Sequence, residues 1–173
     1  MNETMKTILS RRSIRKFSDK KVPEEILKDL VDAGMHAPSG MCRKTWQFTV
    51  VSNENMIKRL TDAIAKVLSR DGYDMYKPTA LIIPSNKRDS VFGVEDNACA
   101  LENIFLSAWS YGVGSVWINQ LKNICDEPVI RQILREMDIP DDHIIYGLAA
   151  LGFPDPNAPM PEYREIGEVR FIK

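Results

Sequence analysis

Ala108-Trp109-Ser110-Tyr111-Gly112-Val113-Gly114-Ser115-Val116-Trp117-Ile118 is the stretch on which the fold turns. The residues before it predict a helix over 95–111. Its Ala98, Leu101, Ile104, Phe105, Ala108 and Trp109 cover a wide apolar arc, as expected of a helix buried at the centre of a domain. Gly112-Val113-Gly114 then closes that helix and precedes a strand over 115–118. A dinucleotide-binding turn has the opposite order, with glycines that close a strand and open a helix; its third glycine and downstream acid are also missing here. The glycines therefore read as a helix terminus, where glycine supplies a positive φ.

Outward from this centre, spacing predicts a helix over 23–37 with Ile26, Leu27, Leu30, Val31 and Met35 on one face. Pro23 suits its first turn, Glu24 and Glu25 suit its positive end, and Pro38 stops it. A second helix over 56–68 follows a cap at Ser52 or Asn53, and a further one over 126–137 opens at Asp126-Glu127-Pro128. Short β-rich or continuously apolar runs predict strands over 47–51, 80–84, 115–118 and 144–151, and 169–172 offers a last one. Helices and strands interleave without a strict βαβ beat, which gives a three-layer α/β or α+β domain around one sheet. Four prolines between Pro154 and Pro161 mark an extended crossing segment that leads to a C-terminal tail.

With 173 residues, 44% of them hydrophobic and 27% charged, the chain suits a single folded domain over 1–173. Its net charge of −1 provides no global field for nucleic acid. The first residues lack the zones of a signal peptide, and no apolar run reaches the length of a membrane span. Cys42, Cys99 and Cys125 are odd in number and far apart, so neither a disulfide framework nor a zinc site is indicated. A cytoplasmic location is the default expectation.

Against that neutral background, Ser10-Arg11-Arg12-Ser13-Ile14-Arg15-Lys16-Phe17 concentrates four cations and two hydroxyls beside a helix end. Guanidinium forks with a short hydroxyl suit a phosphate dianion, though a solvated surface or a nucleic-acid patch would carry similar residues. Ala37-Pro38-Ser39-Gly40-Met41 is a helix-ending turn whose small residues let backbone approach a ligand; an ordinary turn reads the same way. His36 and His143 have no metal-ligand spacing around them, and Ser39 is not in a nucleophile elbow. No side chain stands out as nucleophile or general base, so no protein residue is assigned a catalytic role and no metal is expected. If the protein is an enzyme, its hard chemistry belongs to a bound cofactor.

Taken in order, these segments resemble the nitroreductase family of FMN-dependent oxidoreductases, over nearly the whole chain. The resemblance rests on Arg11-Arg12-Ser13-Ile14-Arg15-Lys16-Phe17, on Ala37-Pro38-Ser39-Gly40 leading to Trp46-Gln47-Phe48, and on Asn97-Ala98-Cys99-Ala100-Leu101-Glu102-Asn103 feeding Tyr111 to Ile118. Leu151-Gly152-Phe153-Pro154 and Arg164 complete it. It implies an α+β fold with a central mixed sheet flanked by helices. It also implies a homodimer with FMN at the subunit interface, the tail from about 154 crossing to the partner. Electrons would pass from NAD(P)H to nitroaromatic or quinone-like acceptors by a ping-pong hydride scheme.

By position, Arg11 and Ser13, with Arg12 alongside and Arg164 closing, match residues that hold the FMN phosphate. Arg15 matches a cation near the pyrimidine edge, where a fixed positive charge favours reduced flavin. Pro38, Ser39 and Gly40 match the turn beside the isoalloxazine ring, and Lys44 falls just beyond it. The backbone after Ile118, at Asn119 and Gln120, matches the amide that faces flavin N5. Cys42, Lys44 and Asn119 depart from the common pattern and leave a second branch open, with reductive dehalogenation or a flavin-consuming reaction. A phosphate- or nucleic-acid-binding module without flavin is the remaining alternative.

Overall fold

Along β2 (Ala80–Lys87), successive residues bury against different layers of helices. Ala80 and Ile82 pack with Leu27, Leu30, Leu101 and Ile104, whereas Leu81 and Ile83 pack with Leu60, Ile64, Ile130 and Leu134. Period-two alternation thus gives the strand two apolar faces, and helices cover both. The computed structural model describes residues 1–162 and 167–173.

One face carries α2 (Glu24–Met35) and the long α4 (Gly93–Ser110); the other carries α3 (Glu54–Val67) and α5 (Pro128–Glu136). The sheet runs β1-β2-β5-β3, with β1 (Trp46–Val51) and β3 (Gly114–Ile118) at its edges and β5 (Leu148–Gly152) beside β2. A two-residue β4 (His143–Ile144) also pairs with β2. All these pairings are antiparallel, and the parallel component of the mixed sheet is the bridge from Ser13 to Ser115. The three-layer expectation holds.

The boundaries hold where a cap defines them. Asn53 accepts a hydrogen bond from the Met56 amide at 3.0 Å, which opens α3. Gly112, at φ 69°, ends α4 as expected, and the Val113 amide returns to the Ala108 carbonyl.

Three expectations need correction. The run over 144–151 is not one strand, because it breaks over 145–147 and resumes with its register against β2 shifted by one residue. The same break lets β2 continue past Pro84 to Lys87. Pro84 has no N–H to donate, and it falls between the last β5 pair at Ile82 and the first β4 pair at Asn86. Residues 169–172 form no strand; Val169, Phe171 and Ile172 lie 79–98% exposed, with too little burial to hold them against the sheet.

The helix end that the sequence places near Ser10 closes an N-terminal helix, α1 (Glu3–Ser10). Asn2 caps it through the Met5 amide at 2.9 Å. None of its residues is buried, and Met5, Ile8 and Leu9 face outward. Among the described residues, no helix is long and apolar enough to cross a membrane.

Candidate functional site

The cationic segment is held extended along the β3 edge. Ile14 donates its amide to the Ser115 carbonyl at 3.0 Å, Ser18 donates to Phe153, and Asp155 donates back to Lys16. Ile14 is buried, and because side chains alternate on an extended backbone, Ser13 and Arg15 share the opposite side. Arg11 stands at the C-terminus of α1, and its Nε lies 3.8 Å from Glu102 on α4. Arg12 turns Nη1 onto the carbonyls of Leu9 and Arg11, at 2.9 and 2.8 Å. A cavity of about 480 Å³ gathers Arg11, Arg12, Ser13 and Arg15, with Pro161 and Glu162 at its rim.

A second cavity, about 340 Å³, lies at the end of β3 between Tyr73, Met75, Tyr76 and Trp117, Ile118, Asn119. Arg15 links it to the cationic segment, because its guanidinium carbon stands 5.9 Å from the Tyr76 ring centre. That spacing allows a cation–π contact worth about 0.5–1 kcal/mol. Burial pushes the Tyr73 phenol up to about 12, so this ring stays neutral beside the charged Arg70, Asp71 and Asp74 of the same lining. Its hydroxyl is buried without a hydrogen-bond partner among the described residues.

The wall itself is unusual backbone. Met75, Tyr76 and Lys77 have φ of 51°, 66° and 52°, three consecutive left-handed residues. Each costs roughly 1–2 kcal/mol. The Asp74 side chain accepts from the Tyr76 amide at 2.9 Å, and Met75 is buried, which holds the turn in place. No sequence motif distinguishes this segment. Only the Gly72 and Pro78 that bracket it would have marked it as a turn.

The turn at Pro38, Ser39 and Gly40 is built separately. Asp96, in the first turn of α4, is 3% exposed and accepts from the Gly40 amide at 2.7 Å and the Ser39 hydroxyl at 3.0 Å. Ser39 Oγ in turn accepts from the Lys44 amide at 3.1 Å. Gly40 also permits a close approach, since a Cβ there would sit 2.3 Å from the Phe92 ring. Past it, Met41, Cys42 and Lys44 are left-handed, at φ 55°, 54° and 47°. The turn ends at Thr45, whose hydroxyl donates to Asn86 at 2.6 Å. Asp96 is likewise not marked by any motif in the sequence. It appears there only as one acid in a helix.

The expected site therefore comes in two parts. Arg11, Arg12, Ser13, Arg15, Ile118 and Asn119 lie along β3, whereas the Pro38 turn and Lys44 lead into β1. These are the opposite edges of the sheet, three strand spacings or about 14 Å apart. One chain does not bring the two parts together. Arg164 lies outside the described residues.

Comparison with known proteins gives this arrangement a context. The model of the Nitroreductase family matches residues 8–79 and 71–153. A protein from Methanothermobacter thermautotrophicus, named as an NADH dehydrogenase/NAD(P)H nitroreductase, is 32% identical over 159 residues, 90% of this chain and 79% of its own. The structure of a nitroreductase with bound FMN from Bacteroides fragilis superposes at a TM-score of 0.93 with 34% identity, covering all of both chains. An FMN-bound nitroreductase from Desulfitobacterium hafniense shares the fold at a TM-score of 0.87 and 20% identity, again over both full chains. With its sequence matched from the cationic segment through β5 and its fold shared end to end, this chain belongs to the nitroreductase family.

Proposed function

We propose that the protein is an FMN-dependent oxidoreductase that passes electrons from NAD(P)H to nitroaromatic or quinone-like acceptors. One observation carries the reading. The cations and hydroxyl suited to a phosphate border one cavity, and Arg15 joins it to an aromatic-walled cleft suited to a flat ring. The similar Bacteroides fragilis protein binds FMN, which supports the same cofactor here.

Arg11 and Ser13, with Arg12 beside them and Arg164 from the tail, would hold the phosphate by charge-assisted hydrogen bonds. Arg15 would place positive charge at the pyrimidine edge, steadied by Tyr76. Ile118 and Asn119 would border the ring, and Pro38, Ser39, Gly40 and Lys44 would close it from a second subunit. When bound, FMN supplies hydride acceptance from NAD(P)H and delivery to the acceptor; the side chains bind, orient and tune it. The homodimer is supported by the division of the site between opposite sheet edges. It is also supported by the outward Met5, Ile8 and Leu9 of α1 and by the exposed Val169, Phe171 and Ile172 of the tail. Three free cysteines fit a reducing, cytoplasmic setting.

The test is the visible spectrum of purified protein, recorded before and after anaerobic NAD(P)H. A flavin band that bleaches, and returns with a quinone, supports the proposal. Flavin absorbance lost for good during turnover would favour the flavin-consuming branch. A colourless protein that refuses added FMN would remove the flavin reading altogether.

A further inference from the structure

We infer that Asp96 is a positioning residue that holds the 38–44 turn in shape for the FMN site of the other subunit. The inference rests on the dimeric FMN reading proposed above. Asp96 is buried at the start of α4, and both of its carboxylate oxygens are engaged by the turn, one by the Gly40 amide and one by the Ser39 hydroxyl. The Lys44 amide donates to the same Ser39 oxygen. A single carboxylate thus fixes Gly40 directly and Lys44 through one intermediate. Between those points lie Met41 and Cys42 in left-handed conformation, which no local preference of their own would maintain.

Nothing in this arrangement serves the chain's own cationic segment, which lies along the opposite edge of the sheet. The turn itself is half-buried at Ser39 and Gly40 and exposed from Met41 to Lys44. The buried acid thus shapes a surface that faces away from the cavity its own chain builds. If the partner's flavin is what the turn meets, an Asp96 defect must appear in the partner's site.

Subunit complementation reads this out. Asp96→Asn keeps the size of the side chain but replaces one acceptor with a donor against the Ser39 hydroxyl. The D96N homodimer should bind FMN roughly tenfold more weakly, with its dimeric state retained. The Arg11→Ala homodimer should lose FMN affinity through the phosphate. In a heterodimer of D96N and R11A chains carrying different tags, both lesions fall in one site and neither in the other. One FMN per dimer should then bind with unmodified affinity.

Failure of the heterodimer to recover a tight site would overturn action across the interface, because a lesion acting within its own chain spoils both sites. Wild-type FMN affinity in the D96N homodimer would overturn the role of Asp96. Full FMN retention by R11A homodimers would instead sink the phosphate assignment, and the placement across subunits with it. Should D96N fold poorly, Ser39→Ala gives the same heterodimer test, because it removes the link to Lys44 while the bond from Gly40 to Asp96 stays. A general loss of folding would not be repaired by a second chain, so recovery separates positioning from simple stability.

Discussion

The Asn119 amide, at the end of β3, donates a hydrogen bond to the side-chain oxygen of its neighbour Gln120 at 3.1 Å. Asn119 and Gln120 supply the backbone expected to meet flavin N5. The Gln120 side chain thus fills, with its own oxygen, the place a ligand acceptor would take. Gln120→Ala should free the amide and tighten FMN binding about twofold to tenfold, the worth of one exchanged hydrogen bond. Fluorescence titration of apoprotein with FMN checks this, and weaker binding in the variant would contradict it.

Arg15 should act on potential more than on affinity. Arg15→Ala removes a positive charge beside the cleft, and the two-electron potential of bound FMN should fall by about 30 mV or more, equivalent to roughly 1.4 kcal/mol. The dissociation constant should change less than tenfold. Tyr76→Leu, which removes only the ring beneath the guanidinium, should move the potential the same way by a smaller amount. A spectroelectrochemical titration that finds no shift in R15A would exclude this role.

Gly40→Ala places a methyl group 2.3 Å from the Phe92 ring. Such overpacking costs about 1–3 kcal/mol, because turn and ring must separate. FMN retention should fall alongside the melting temperature. An alanine variant with unchanged melting would show that Phe92 yields freely.

Arg131 is buried, and it bonds Asp126 at 2.7 Å and the carbonyls of Pro140 and His143, each at 3.2 Å. It ties the start of α5 to the loop before β4. Arg131→Leu would leave two carbonyls short of donors, at a cost of about 2–4 kcal/mol in urea unfolding. Arg135→Leu should cost much less, since its pair with Asp141 is exposed on both sides.

Acid should destabilise the protein in two stages. Burial is the main cause holding the His143 imidazole below its ordinary 6.5; nearby Lys87 and Arg131 add to this and Asp142 opposes it. The unfolded chain therefore takes up that proton first, and stability declines as pH drops below about 6.5. Hydrogen bonds from Arg88 and Arg131 hold Asp126 below its ordinary 3.8. Its contribution is present above that value and is lost as pH falls further, through its folded pKa. His143→Gln should flatten the decline between pH 7 and 5 and leave the lower stage intact, as unfolding free energies across pH would show.

How much of this was legible beforehand follows from the range of each interaction. Helix periodicity, the Asn53 cap, the Gly112 terminus and the alternation in β2 are written in neighbouring residues, because backbone geometry and burial act locally. The cationic segment and the Pro38 turn were readable for the same reason, and so was their resemblance to one family. Tertiary structure decided what depends on residues distant in sequence. It broke the run over 144–151 opposite Pro84, and left 169–172 exposed outside the sheet. It also set Tyr76 beneath Arg15, 61 positions away, and buried Asp96 under the turn that it shapes. No pattern announces these contacts, since each pairing is chosen by the packing of helices on the sheet.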